Sequence, residues 1–241
     1  MTTATDETNP DGRGFLPGLA LDFVIFGFHD QELKILILEY KNTDLFALPG
    51  GFVREKEDLE SAARRVLAQR TGLTDIYLEQ FHTFGSLQRY DPAPLAQIMQ
   101  AKGHAVQPDH WLLRRFVTVG YYALVDFTQA VPQPDAMADR CAWYELHQLP
   151  SLMLDHKSIV AKALETLRET LDRKLIGFNL LEESFTMHTL QRLYETVLGE
   201  PLNRSSFQRR MLSLGILQRL EKTYTGKAHK APYLYRFIEP D

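Results

Sequence analysis

Residues 50–73 read "GGFVREKEDLESAARRVLAQRTGL" and open on a turn, because Leu48-Pro49 runs into a glycine pair. Leu59, Ala62, Ala63, Val66 and Leu67 then recur at helical spacing, which predicts a helix over 58–70. Gly72 closes it, since glycine enters the left-handed conformation at a helix end without steric cost. The flanks are of another kind. Upstream, "LALDFVIFGF" and "LKILILEY" are β-branched and aromatic runs separated by the turn-like "HDQE", the pattern of a hairpin. Downstream, "DIYLEQFHTFG", "RRFVTVGYYALVDF" and "CAWYEL" read as further strands. Residues 91–110 form an insertion with a short helix starting near Pro94, and residues 1–17 are a polar stretch expected to be a mobile tail.

The 241 residues are 44% hydrophobic and 24% charged, with a formal net charge of -4, ordinary values for a globular protein. A chain of that charge offers no global attraction for nucleic acid, so a DNA-binding surface has to be local. Cys141 is the single cysteine and excludes a disulfide within the chain. With no signal peptide and no apolar run long enough to span a bilayer, the expectation is a cytoplasmic protein without a membrane partner. The histidines show no metal-ligand spacing.

Past residue 155 the composition changes. Ile159, Val160, Ala163, Leu164, Leu167 and Leu171 form one stripe, which predicts an amphipathic helix capped by Asp155. After a strand or extended piece in "LIGFNLLEESF" come two helices, "TMHTLQRLYETVLG" and "NRSSFQRRMLSLG", and a hairpin in the last segment. Residues 186–238 hold nine lysines and arginines against three glutamates, the local footprint a nucleic-acid module needs. In the second of these helices Phe207, Met211 and Leu214 are expected to point inward. Asn203 is its expected cap. Arg204, Ser205, Ser206, Gln208 and Arg209, with Arg210 at the flank, are then the candidates to meet bases and phosphates in a major groove. Lys227, His229 and Lys230 are the candidates at the hairpin tip. Helix, helix and basic-tipped hairpin make a winged helix-turn-helix. The division expected is a tail over 1–17, an α+β domain over 18–150, a connecting helix and strand over 151–180, and the winged helix over 181–241.

The 50–73 stretch resembles the Nudix box, G-x5-E-x7-R-E-U-x-E-E-x-G-U with U a bulky aliphatic. Gly51, Glu57, Arg65, Leu67, Gly72 and Leu73 fall on its positions, and the preceding "LPGG" extends the match. The resemblance implies a Nudix-like α/β/α sandwich. Three box glutamates, which in the family hold Mg²⁺ for diphosphate hydrolysis, are replaced here by Val66, Gln69 and Arg70. Magnesium takes hard oxygen ligands; valine offers none, and a guanidinium opposes a cation. The expectation is therefore a domain that is not an enzyme, holds no metal and needs no cofactor. Such a pocket is still suited to a diphosphate, which arginine grips with a planar fork. The candidate ligand residues are Lys41, Arg54, Glu57, Arg65, Arg70, Arg89 and Arg115, with Arg65 expected to pair with Glu57.

Both halves together resemble the NrtR type of Nudix-related transcriptional regulators, on "FNLLEESF", "LQRLYETVLGEPLN" and "SFQRRMLSLG". That resemblance implies a homodimer, a palindromic double-stranded DNA operator and a small effector. In the branch governing NAD metabolism the effector is ADP-ribose or a related nucleotide; sister branches sense sugars such as arabinose. The insertion over 91–110 departs from the family pattern and leaves effector identity open. A live Nudix hydrolase acting on ADP-ribose, a sugar-responsive regulator and a non-catalytic scaffold for a protein partner stand as alternatives.

Overall fold

A computed structural model describes residues 12–29, 32–74, 76–172, 180–222 and 231–238. The first strand, β1 (Phe15–His29), is the spine of a seven-stranded sheet. It starts within the stretch read as a tail, because the Phe15 ring packs on Phe52 and stacks on Trp111. The other strands are β2 (Glu32–Tyr40), β3 (Leu45–Ala47), β4 (Gly50–Arg54), β5 (Tyr77–Phe84), β6 (Val117–Val125) and β7 (Arg140–Glu145). One edge of β1 runs parallel to β6 from Leu19↔Val117 to Gly27↔Val125. Antiparallel partners divide the strand's remaining pairing. β4 takes Phe15 to Asp22, β2 takes Phe26 to His29, and the two diverge around Asp22.

Successive strand residues face opposite sides, so an unbroken apolar run means a sheet covered on both faces. Phe23 and Ile25 of β1 and Leu36 and Leu38 of β2 face α1 (Leu59–Thr71), packing on Ala62, Ala63, Val66 and Leu67. Val24, Phe26, Ile35 and Ile37 face the other way, onto Ile159, Val160, Ala163 and Leu167 of α3 (His156–Thr170). The expected sandwich is therefore present. The inserted helix α2 (Ala93–Ala101) adds Ile98 to the α1 side.

The C-terminal unit is a second, three-stranded sheet, β8 (Phe185–Thr186), β10 (Tyr233–Phe237) and β9 (Leu217–Lys222) in that order, with α4 (Met187–Leu198) and α5 (Arg204–Ser213). Leu190, Leu193, Tyr194, Val197, Phe207 and Met211 join the cluster that contains α3. Leu214 does not follow them. It is 39% exposed, because α5 stops at Ser213 and the chain turns away at Gly215 (φ 68°). Of the strand or extended piece expected over 175–185, residues 175–179 lie outside the described residues, and the described part is turn and bend until β8 starts at Phe185.

Candidate effector cleft and DNA-binding face

A cleft opens where β2 and β4 part along β1. Ala20, Leu21 and Asp22 of β1 and Gly50, Gly51 and Phe52 of β4 form its floor, and Leu95, Leu112, Leu113, Phe116, Met137 and Met153 line it with apolar surface. Tyr40, Arg70, Arg89, Tyr90, Asp91, Arg114, Asp135 and His156 supply its polar groups. It spans about 1110 Å³ counting the open solvent at its mouth. The insertion over 91–110 does border this cleft, through Asp91, Pro92 and Leu95.

The Nudix-box residues are placed by α1. Asp58 caps it by accepting the Ser61 N–H at 2.8 Å, and Gly72 ends it at φ 71°, its N–H bonded to the Ala68 carbonyl. Val66 is fully buried and lies under Gly51, where a side-chain carbon would meet it at 2.6 Å. Arg70 is 4% exposed and donates Nη2 to the Gly50 carbonyl at 3.2 Å. Gln69 is exposed and accepts from Arg65 at 3.4 Å. Glu57 and Arg65 make the expected pair, at 2.7 and 2.8 Å, and Arg65 also donates to the Phe52 carbonyl at 2.9 Å. Hydrogen bonds from Arg65 hold the Glu57 carboxyl below its usual range.

These residues do not fit a magnesium site. The box carboxylate that remains is committed to Arg65, and a buried guanidinium stands beside the Gly50 carbonyl. Among the described residues no three of His, Cys, Asp and Glu converge as a metal-ligand group. Burial pushes the Tyr40 hydroxyl well above its ordinary value, with Asp135 adding to the effect and Arg70 opposing it. Burial likewise pushes the Cys141 thiol up to about 12, which leaves it an inert packing group.

Arg89 organises the cleft's inner end. It is 9% exposed and is held by Asp155 at 3.1 and 3.2 Å, by Asp22 at 3.4 Å and by the Phe116 carbonyl at 3.1 Å. His156 lies alongside, its Nδ1 accepting the Leu48 N–H at 2.9 Å and its Nε2 4.0 Å from Asp22. Burial lowers its pKa, so the ring is held neutral. Asp155 stands at the N-cap of α3 without a side-chain bond to its own helix. The expected cap is replaced by the bond to Arg89.

Of the seven candidate ligand residues, Arg70 and Arg89 line the cleft, whereas Lys41, Arg54, Glu57, Arg65 and Arg115 do not. The Arg115 side chain turns out to the Gly85 carbonyl, and its neighbour Arg114 is the one on the cleft. Tyr90, Arg114, Asp22 and His156 were not singled out in the sequence. A strand's alternation would separate Arg114 from Arg115, but the chain there is a turn leading into β6, and periodicity carries no face information in a turn.

In the C-terminal unit Asn203 caps α5 through the Ser206 N–H at 3.0 Å. Arg204, Ser205, Ser206 and Arg209 are exposed and Gln208 partly so. Arg210 is exposed as well, with its guanidinium 3.7 Å from Asp172 and over the Tyr194 and Phe207 rings. Lys227, His229 and Lys230 lie outside the described residues. Arg219 and Lys222 of β9 sit over the Tyr233 ring. No helix among the described residues is long and apolar enough to cross a membrane.

Residues 18–167 match the family model of the NUDIX domain, and residues 177–237 match that of the NrtR DNA-binding winged helix domain. The ADPR responsive transcriptional repressor NtrR of Acinetobacter baylyi is 30% identical over 232 residues, 93% of this chain and 84% of the relative. The structure of Shewanella oneidensis NrtR complexed with a 27mer DNA is 29% identical with a TM-score of 0.67, covering 91% of this chain and 93% of that one. A second structure of Shewanella oneidensis NrtR is 30% identical with a TM-score of 0.68, covering 92% of this chain and 94% of that one.

Proposed function

The chain belongs to the NrtR family of Nudix-related transcriptional regulators, and we propose that it represses transcription from a palindromic DNA operator as a homodimer and releases it when ADP-ribose or a related nucleotide enters the cleft. The Acinetobacter relative is by name an ADPR responsive repressor. In this chain Arg70, Arg89 and Arg114 are the cleft cations that would meet a diphosphate, and Tyr90, at 49% exposed, offers a ring at the mouth. α5 enters the major groove with Arg204, Ser205, Ser206, Gln208 and Arg209.

The observation that carries the reading is Arg70. A buried guanidinium at a family metal position supplies fixed positive charge for a diphosphate without the ion that would hydrolyse it. The nucleotide is then an effector, bound and released intact, and the domain needs no cofactor. Gel-shift titration of DNA from upstream of the chain's own gene, with and without ADP-ribose, tests this. Binding that ADP-ribose weakens is expected; no binding to any candidate operator at moderate salt overturns it. Incubation of ADP-ribose with Mg²⁺ is expected to leave the nucleotide intact. Release of AMP that Glu57→Gln abolishes would establish a hydrolase instead.

A further inference from the structure

Three helices of this chain begin alike. α1, α4 and α5 start at Asp58, Thr186 and Asn203, each with extended backbone (ψ 165°, 156° and 119°), and each cap side chain accepts the N–H three residues on, at Ser61, Thr189 and Ser206. α3 starts at Asp155, chemically as good a cap, yet its ψ is 13° and its carboxylate bonds nothing in its own helix. Both oxygens are taken by Arg89. The Ser158 N–H, the donor such a cap would satisfy, goes to the Asp155 backbone carbonyl at 2.8 Å.

The two ends of α3 lead to different places. At its start, Arg89 and His156 line the cleft. At its far end, Arg168 donates to the Val197 carbonyl at 2.9 Å, Tyr194 donates to the Leu171 carbonyl at 3.2 Å, and Asp172 lies 3.7 Å from Arg210. The first two contacts hold the last turn of α4 and the third reaches α5. Along its length α3 shares one packed cluster with both, and packed interfaces shift between discrete arrangements rather than deform continuously.

We infer that Asp155 is a two-position cap coupling the cleft to the winged helix, an inference that rests on the cleft being the effector site proposed above. In one position Asp155 holds Arg89. An anionic group of the effector, a phosphate or its equivalent, takes over the guanidinium and frees the carboxylate. The carboxylate then accepts the Ser158 N–H, and the Asp155 backbone moves to the extended conformation of the other three caps. The start of α3 is reset, and with it the seat of α4 and α5. The effector favours one state and DNA the other, which is what reciprocal coupling requires.

The test uses the full chain, a fluorescent duplex from upstream of its own gene, and calorimetric titration of ADP-ribose. In the natural protein ADP-ribose is expected to weaken duplex binding by about 5- to 150-fold, the usual span of such couplings. Asp155→Asn keeps a capping side chain but loses the charge that holds Arg89. It should bind ADP-ribose, bind duplex as weakly as the effector-bound natural protein, and respond to ADP-ribose by less than about twofold. Asp155→Glu keeps the charge but caps poorly, so it should hold the duplex-binding state and also respond weakly. In the amide spectrum ADP-ribose should move the Ser158 signal of the natural protein toward its position in free Asp155→Asn. A full response in Asp155→Asn overturns the inference, as does an equal loss of duplex binding in both variants that follows a lowered melting temperature. A natural protein that binds duplex but ignores ADP-ribose overturns the effector reading on which the inference stands.

Discussion

At Val66 and Arg70 the side chain sets what the helix can do. Both lie on the buried face of α1, one beneath Gly51 and the other beside the Gly50 carbonyl. Restoring a family glutamate at Val66, which is fully buried, puts an uncompensated charge in the core. Val66→Glu is expected to cost about 3 kcal/mol or more in urea denaturation. The Glu57–Arg65 pair is held by two parallel hydrogen bonds with both side chains largely buried. Arg65→Lys loses the fork and the bond to the Phe52 carbonyl, and should cost about 2 kcal/mol by the same measurement. Arg204→Ala and Arg209→Ala remove exposed cations from α5. Each should weaken operator binding by about 1–3 kcal/mol in anisotropy titrations if it reads a base, and should leave ADP-ribose affinity unchanged.

Helix ends were readable where capping is local and lost where it is not. Asp58 and Gly72 bound α1, and Asn203 caps α5, as the residues required. Asn203→Ala should cost about 1 kcal/mol in thermal denaturation and weaken operator binding, since the first turn of α5 presents Arg204. Asp155 carries the same chemistry as Asp58, and its side chain went elsewhere, because Arg89 approaches it from 66 positions away in the chain. Leu214 failed for a nearer reason. The stripe assumed another turn of helix, and Gly215 ends α5 first.

For the molecule as a whole, the buried His156 links stability to pH. Burial lowers its pKa from the ordinary 6.5, so the folded chain keeps the ring neutral while the unfolded chain protonates it below that pH. The stabilisation is therefore full above pH 6.5 and is lost as pH falls toward the folded pKa. The melting temperature should drop as pH falls below 6.5, and His156→Gln should flatten that drop. The net charge of -4 coexists with an α5 whose first exposed face is basic and neutral. Operator binding should weaken steeply with added salt while ADP-ribose binding changes far less, because the duplex releases many counterions and a small ligand releases few.

The longer strands, the helices, the box register from Gly51 to Leu73 and the winged helix are legible in the residues, and the family resemblance supplies the Glu57–Arg65 pair and the lost metal carboxylates. β3 and β4 are not legible, because the sequence there reads as a lead-in to a glycine turn and only pairing with the distant β2 and β1 makes it strand. The elements and the register depend on periodicity, turn chemistry or a spacing of a few positions, and such interactions are encoded by neighbours in the chain. The cleft was only half legible. Arg70 and Arg89 were among the candidates, but Tyr90, Arg114, Asp22 and His156 join them because β2 and β4 diverge along β1 and the 91–110 insertion folds over the gap. The Asp22–Arg89–Asp155 chain draws on residues 66 and 67 positions apart. Which carboxylate a buried arginine takes is settled by the packing that encloses it, and no local rule of sequence carries that choice.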